Sequence, residues 1–133
     1  MKHLRPYLLA WAALALLPAA QAATPAELLA VYTAQAGAPA SAERGQKLFT
    51  TNFGKDFGWS CSSCHGAVPT GTGKDLVTEK SIAPFAPAFN PKRFTDRGRV
   101  DNYFRLNCKD VVGRECTAGE KADVLAWVMS LKP

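Results

Sequence analysis

Histidine and methionine are scarce in this sequence, because its 133 residues include only two of each. His3 and Met1 lie at its start, which leaves His65 and Met129 for the rest of the chain. A structural zinc site takes four Cys or His ligands, usually in two closely spaced pairs. Such a site is not expected, because no second closely spaced pair of cysteines or histidines follows the first.

A long apolar run is also missing. The longest one covers residues 8–17, about half of the roughly twenty residues that a membrane-spanning helix needs. It follows a short basic start and precedes Ala20-Gln21-Ala22, which has the form of a cleavage site. This order is typical of a secretory signal peptide. The sequence therefore predicts a signal peptide over residues 1–22, a mature domain over residues 23–133, and export to the periplasm.

The excess of basic residues is small. The formal net charge of +5 falls to +3 when Lys2 and Arg5 leave with the predicted signal peptide, since 5 minus 2 is 3. Nucleic-acid-binding domains usually carry a strong basic patch, so no nucleic-acid partner is expected. A charge of this size is compatible with docking on an acidic redox partner protein.

The alternation typical of strands is absent, and the patterns that are present predict helices. The segments TPAE at 24–27 and TAGE at 117–120 are capping boxes, and each precedes a run with one apolar face. Ser41 caps a further helix, and Thr95 or Asp96 begins another. The domain is therefore predicted to be all-α, with about four helices.

The pattern that carries the chemistry is Cys61-Ser62-Ser63-Cys64-His65. The arrangement C-x-x-C-H is typical of c-type haem attachment. Two thiols one helical turn apart reach the two vinyl groups of a haem as thioethers, and the imidazole that follows binds the iron. A thioredoxin-like redox pair would need a βαβ setting, which the helical pattern does not provide. We therefore expect one covalently bound haem c, held by Cys61, Cys64 and His65.

Residues 66–91 show neither a helical nor a strand period and are predicted to be a long loop. A loop of this length is uncommon in a compact domain, but a haem gives it a large flat apolar surface to pack on. The loop residues expected to make that contact are Ile82, Phe85 and Phe89. Other residues expected around the haem are Trp59, Phe94, Phe104 and Trp127. Candidates to hold its propionates are Lys92, Arg93, Arg97, Arg99 and Arg105.

The group on the other face of the iron is harder to identify. Electron-transfer cytochromes usually place Met or His there. His3 is lost with the signal peptide, and Met129 lies inside the predicted last helix, where Met often fills gaps between helices. The residues leave three main alternatives open, namely an open iron, a lysine, or Asn107. Asn107 lies where the third helix is expected to stop, and ending a helix is a common role of Asn. A plain electron carrier with Met129 or another group as the sixth ligand is the alternative function.

Cys108 and Cys116 are the remaining cysteines. Export places them in an oxidising compartment, where spare cysteines form disulfides. If Cys61 and Cys64 carry the haem, Cys108 and Cys116 are left for each other.

Several segments in the second half of the chain carry a resemblance to a known family. They are RLNCKD at 105–110, GRECT at 113–117 and EKADVLAW at 120–127, preceded by NP at 90–91 and RFT at 93–95. Together with the haem motif they resemble the sphaeroides haem protein family, whose fold is like that of the small class I cytochromes c.

The resemblance implies that Asn107 is the sixth ligand of the oxidised haem and leaves on reduction. The ferrous iron would then take up a diatomic gas such as oxygen or nitric oxide. The resemblance also implies a Cys108–Cys116 disulfide. It implies a multihaem cytochrome c and a membrane cytochrome b as electron donors. Whether the gas is only bound or also converted stays open, and a monomer is expected.

Overall fold

The structure, a computed structural model, describes residues 23–54 and 58–133. The predicted signal peptide, residues 1–22, lies outside the described residues. Within the described ranges there are five helices and one two-stranded antiparallel sheet. In chain order the elements are α1 (Pro25–Ala36), α2 (Ala42–Thr50), α3 (Cys61–His65), β1 (Gly73–Lys74), β2 (Ser81–Ile82), α4 (Arg97–Val111) and α5 (Ala118–Ser130).

The predicted helix starts are confirmed. At the start of α1 the Thr24 hydroxyl accepts from the Glu27 N–H, and the Glu27 carboxylate accepts from the Thr24 N–H at 2.7 Å. Thr117 and Glu120 form the same reciprocal pair at the start of α5. The N-caps of α2 and α4 are Ser41 and Asp96. These caps satisfy backbone donors that have no partner inside the helix, which is why each helix begins there.

Three features differ from the prediction. Helix α4 does not stop at Asn107-Cys108 but continues to Val111, because the Cys108 carbonyl still accepts a helical hydrogen bond from the Val112 N–H at 2.7 Å. Asn107 therefore lies within the helix, near its last turn. The haem motif forms a helix of its own, α3, which makes five helices rather than four. The loop predicted over 66–91 contains the short strands β1 and β2.

Helix α5 packs closely, backbone to backbone, against α1 and α2, and we call these three helices the helical body. Where α2 crosses α5, a Cβ on Gly45 would lie 2.7 Å from the backbone nitrogen of Val124, and closer still to the Asp123 carbonyl. The Asp123 side chain is buried and accepts hydrogen bonds from the Arg44 guanidinium at 2.7 and 2.8 Å and from the Ser41 N–H at 2.6 Å. Both close approach and charge pairing therefore fix this crossing.

Helix α4 does not pack closely, backbone to backbone, against any other helix or strand of the described residues. At its C-terminal end Cys108 lies next to Cys116, with Cα atoms 5.6 Å apart, a separation that a disulfide spans. Nearer its start, side chains of α4 contact α1 and α5. Within residues 23–54 and 58–133, no helix has the length and apolar character needed to cross a bilayer.

Candidate cofactor site

A cavity of about 550 Å³ is bordered by α2, α3, α4 and the segment that joins β2 to α4. Its volume falls within the range of roughly 300–1,000 Å³ that is usual for small-molecule and cofactor sites. From α2, Leu48 and Phe49 reach the wall, and Ile82 and Phe85 reach it from the long segment before α4. The prediction that this segment packs on the cofactor site is therefore met by Ile82 and Phe85, whereas Phe89 packs against the buried core.

Helix α3 brings the three residues of the haem motif to this cavity. Cys61, Cys64 and His65 all line it, and both thiols are free. The preceding Ser60 is extended, and its N–H donates to the Ser63 hydroxyl at 3.0 Å, which starts the single turn of helix. That turn spaces the two thiols so that both reach the same cavity as the imidazole.

Strand β1 approaches α3 so closely that a side chain would not fit between them. A Cβ on Gly73 would lie 3.1 Å from the Cα of His65 and closer still to the carbonyl oxygen of Cys64. Glycine at this position therefore lets β1 support the backbone of the motif from behind.

The charge state of the imidazole suits a metal ligand. Burial, with a smaller contribution from the positive charge of Arg93, lowers the pKa of His65 to about 4. The side chain is therefore neutral near neutral pH, and the neutral imidazole is the form that binds a metal. Its ring centroid lies 4.7 Å from that of Phe85 and 6.0 Å from that of Phe49, which holds the imidazole among aromatic side chains.

One face of α4 forms another wall of the cavity. Val100, Phe104, Asn107 and Val111 line it at intervals of three or four residues, the spacing of side chains on one helix face. Asn107 thus places a side-chain amide in a row of otherwise apolar residues. The sequence prediction includes Phe104 and Asn107 but omits Val100 and Val111, whose spacing is the signal that identifies them.

Three basic residues lie on the wall, namely Lys92, Arg93 and Arg99. The Arg93 guanidinium donates to the carbonyl oxygens of Pro84 at 3.0 Å and Ala83 at 2.7 Å, and it lies 5.6 Å from the Phe85 ring centroid. Arg93 is therefore held in place at the site. The other two predicted propionate candidates do not line the cavity. Arg97 lies 3.6 Å from Asp101, and Arg105 donates to Asn102 at 2.8 Å.

The remaining predicted neighbours of the haem divide into two groups. Phe94 and Phe104 line the cavity, whereas Trp59 and Trp127 do not. Trp127 lies behind the wall in the core, with its ring centroid 5.0 Å from that of Phe49. An aromatic residue on the inner face of α5 thus supports the wall rather than forming it.

Met129 does not line the cavity. It packs against the buried core and borders a separate surface depression together with residues such as Pro25 and Pro87. The structure thus places the thioether away from His65 and the two thiols.

Together these features fit a covalently attached haem. The cavity has two free thiols, a neutral imidazole, apolar and aromatic walls, and a fixed guanidinium that can meet a carboxylate. Cys61, Cys64 and His65 are the residues able to hold the group, and Asn107 lines a different wall of the cavity.

Comparison with known proteins gives consistent matches. A family model described as a domain of unknown function (DUF1924) matches residues 35–128. The chain is 53% identical to cytochrome c-type protein SHP of Cereibacter sphaeroides over 107 residues, which are 79% of this chain and 82% of that protein. It is 42% identical to cytochrome c'' of Methylophilus methylotrophus over 84 residues, which are 63% of this chain and 57% of that protein.

Solved structures agree with the sequence matches. The structure of oxidised SHP, described as an oxygen-binding cytochrome c, matches with a TM-score of 0.76 at 51% identity and covers 81% of this chain and 97% of that one. Oxidised cytochrome c'' matches with a TM-score of 0.74 at 33% identity, covering 82% and 95% of the two chains. The predicted helical cytochrome fold is thereby confirmed. The chain belongs to the family of the matched domain and of the sphaeroides haem protein, a family of c-type cytochromes that carry covalently bound haem c.

Proposed function

We propose that this monohaem c-type cytochrome binds a diatomic gas, such as oxygen or nitric oxide, at its reduced haem. Cys61 and Cys64 would hold the haem through thioethers, and His65 would be the permanent ligand of its iron. Asn107 would bind the iron of the oxidised protein and would be the ligand that is released on reduction. The oxygen-binding SHP structure, which is 51% identical, supports a gas as the ligand.

The observation that carries the proposal is the composition of the cavity wall. Among the described residues that form it, His65 is the single imidazole and none is Met, whereas Asn107 lies in the apolar row of α4. Lys92 is the one lysine in the wall, and it lies on the turn before α4 rather than in that row. Within that row of α4, Asn107 is therefore the one side chain with an atom that can bind a metal.

The chemistry of an amide ligand agrees with release on reduction. The haem supplies the ferric–ferrous couple and the iron that binds the gas. A side-chain amide oxygen is a weak, hard donor, so it suits ferric iron better than the softer ferrous iron. Because Asn107 lies within α4, its backbone is held by helical hydrogen bonds. Its departure is therefore expected to be a rotation of the side chain rather than an unwinding of the helix.

Optical spectra of the holoprotein test this proposal. The reduced protein should bind carbon monoxide, and Asn107→Ala should keep the haem attached while changing the ferric spin state. Asn102→Ala is the matched control, because Asn102 is an exposed asparagine on the same helix that does not line the cavity. Its ferric spectrum should equal that of the parent. A reduced parent protein with a six-coordinate low-spin haem that ignores carbon monoxide would contradict the proposal.

Export and redox partners belong to the same proposal. Residues 1–22 are removed as a signal peptide, and the domain over residues 23–133 works as a monomer in the periplasm, the usual compartment of c-type cytochromes of this kind. There Cys108 and Cys116 form a disulfide. Electrons reach the haem from a cytochrome partner, a multihaem cytochrome c or a membrane cytochrome b, and the small positive charge assists docking on an acidic surface.

A further inference from the structure

Helix α4 carries the proposed ligand Asn107, yet it lacks the close backbone packing that joins the helices of the body. A helix in this position depends on a few side-chain contacts for its placement relative to the rest of the fold. One such contact lies at its C-terminal end, where Cys108 meets Cys116. Another lies around Asp101, six residues before Asn107 along the helix.

Asp101 joins α4 to both α1 and α5. Its carboxylate oxygen Oδ1 accepts hydrogen bonds from the Tyr32 hydroxyl of α1 at 2.9 Å and from the Lys121 ammonium of α5 at 3.0 Å. Tyr32 is 1% exposed, and the side chains of Lys121 and Asp101 are 19% and 38% exposed, so this ion pair is partly buried. Arg97, on α4 itself, lies 3.6 Å from the other carboxylate oxygen and is far more exposed.

Charge holds this cluster together. Burial raises the pKa of Asp101, but the hydrogen bonds from Lys121 and Tyr32 outweigh it, so the net pKa lies below its ordinary value. Burial and the Asp101 hydrogen bond raise the pKa of Tyr32, which keeps its hydroxyl a donor. Removal of the Lys121 charge would leave a partly buried carboxylate without its close cationic partner, which is unfavourable.

The cluster is continuous with the cavity wall. The Phe104 ring lies edge-on to the Tyr32 ring, with centroids 6.2 Å apart and planes at 88°. The Lys121 ammonium lies 5.2 Å from the Tyr32 centroid and 5.9 Å from the Phe104 centroid, within reach of both aromatic faces. Phe104 lines the cavity, and Asn107 follows it by one turn on the same helix face. A shift of α4 at Asp101 is therefore transmitted to Asn107 through a rigid helix.

We infer that Asp101 and Lys121 are positioning residues that set how well Asn107 reaches the iron. They touch neither the iron nor the gas, and they act by fixing α4 against α1 and α5. This inference rests on the proposed function, because it requires Asn107 to be the displaceable ligand. Loosening the cluster weakens Asn107 as a ligand and makes the iron easier for an external ligand to occupy.

Cyanide binding to the ferric holoprotein tests the inference, because cyanide must displace Asn107. Lys121→Met removes the charge but keeps the apolar stem of the side chain. It should raise the cyanide affinity by about 5-fold or more, the usual lower scale of coupling between sites. In an Asn107→Ala background the same change should alter the affinity by less than about 2-fold, because no ligand is left on α4 for the cluster to position. A factor below about 2 lies within the deviation expected for uncoupled sites.

Two further variants keep the experiment interpretable. Lys74→Met removes the lysine of an exposed ion pair, 3.6 Å from Glu79, and should leave the cyanide affinity unchanged. Asp101→Asn removes the charge at the other side of the cluster and should reproduce the effect of Lys121→Met. Asp101→Asn also serves as the test if Lys121→Met does not fold. Haem content and thermal unfolding are measured for each variant.

The outcomes separate the inference from the proposal beneath it. If Lys121→Met changes the cyanide affinity equally with and without Asn107, or in neither background, positioning through Asn107 is overturned while Asn107 itself stays a ligand. If Asn107→Ala alone leaves the ferric spectrum and the cyanide affinity of the parent unchanged, Asn107 is not the ligand, and both the proposed function and this inference fall.

Discussion

Substitution of Gly45 by alanine tests whether the crossing of α2 and α5 is as close as the structure indicates. Two effects oppose each other. Alanine is a better helix former than glycine, and in an open helical site it would stabilise the fold by about 1 kcal/mol. At Gly45, however, the new Cβ would lie 2.7 Å from the backbone nitrogen of Val124 and still closer to the Asp123 carbonyl.

The steric effect should dominate, because the opposing atoms belong to the backbone of α5. A flexible side chain could rotate away, but here α2 and α5 must move apart as whole helices, which also disturbs the hydrogen bonds from Arg44 and Ser41 to Asp123. Overpacking of this kind costs about 3 kcal/mol. After the gain in helix propensity, the net loss is about 2 kcal/mol, which for a small domain lowers Tm by roughly 8–16 °C.

Thermal and denaturant unfolding of the holoprotein measure this loss. Gly98→Ala is the matched control, because Gly98 is also helical and the nearest atom to a new Cβ there is an Asp96 side-chain oxygen at 3.6 Å, an ordinary contact. Its stability should equal that of the parent or slightly exceed it. A Gly45→Ala protein that is as stable as the Gly98→Ala protein would refute the close crossing.

Two further predictions concern single contacts. The hydrogen bond from Arg114, together with that from the Thr117 N–H, holds the pKa of Glu120 below its usual value despite partial burial. Glu120→Gln should therefore lower the free energy of unfolding by about 1 kcal/mol near pH 7. This difference from the parent should disappear as the pH falls below the usual carboxyl range, because the hydrogen bonds that lower the pKa stabilise only the ionised Glu120. A difference in stability that persists in acid would count against this pairing. Replacement of Cys108 and Cys116 by serine should lower the free energy of unfolding by roughly 2–3 kcal/mol if they form a disulfide; a parent protein whose stability is unaffected by a reductant would argue that they do not.

Local signals in the sequence identify most of the secondary structure. Capping residues such as Thr24 and Thr117 form their hydrogen bonds within a few residues, so their pattern is visible without knowledge of the fold. The end of α4 is different. Nothing local stops the helix at Asn107, and the backbone hydrogen bonds continue to Val111. The predicted stop relied on the common role of asparagine at helix ends, which the structure does not use here.

The residues of the site also differ in how far the sequence alone identifies them. Cys61, Cys64 and His65 are adjacent in the chain, so their spacing alone indicates haem attachment. The α4 residues that line the cavity can be recognised in the sequence only by their spacing of three or four positions. That they face α3 across the cavity depends on tertiary packing. The Tyr32–Asp101 hydrogen bond joins residues 69 positions apart and has no sequence signature. For Trp127 the sequence predicts a contact with the haem that the structure does not show, because this side chain lies on the inner face of α5 and supports the cavity wall from behind.

The separation of α4 from the helical body has a consequence for how such proteins diversify. Tyr103, Asn107 and Val111 border the cavity but do not belong to the buried core or the partly buried residues packed on it. Changes at these positions can alter the width and polarity of the space beside the haem without weakening the contacts among α1, α2 and α5. One stable scaffold can therefore carry different side chains beside the haem by substitutions along a single helix face.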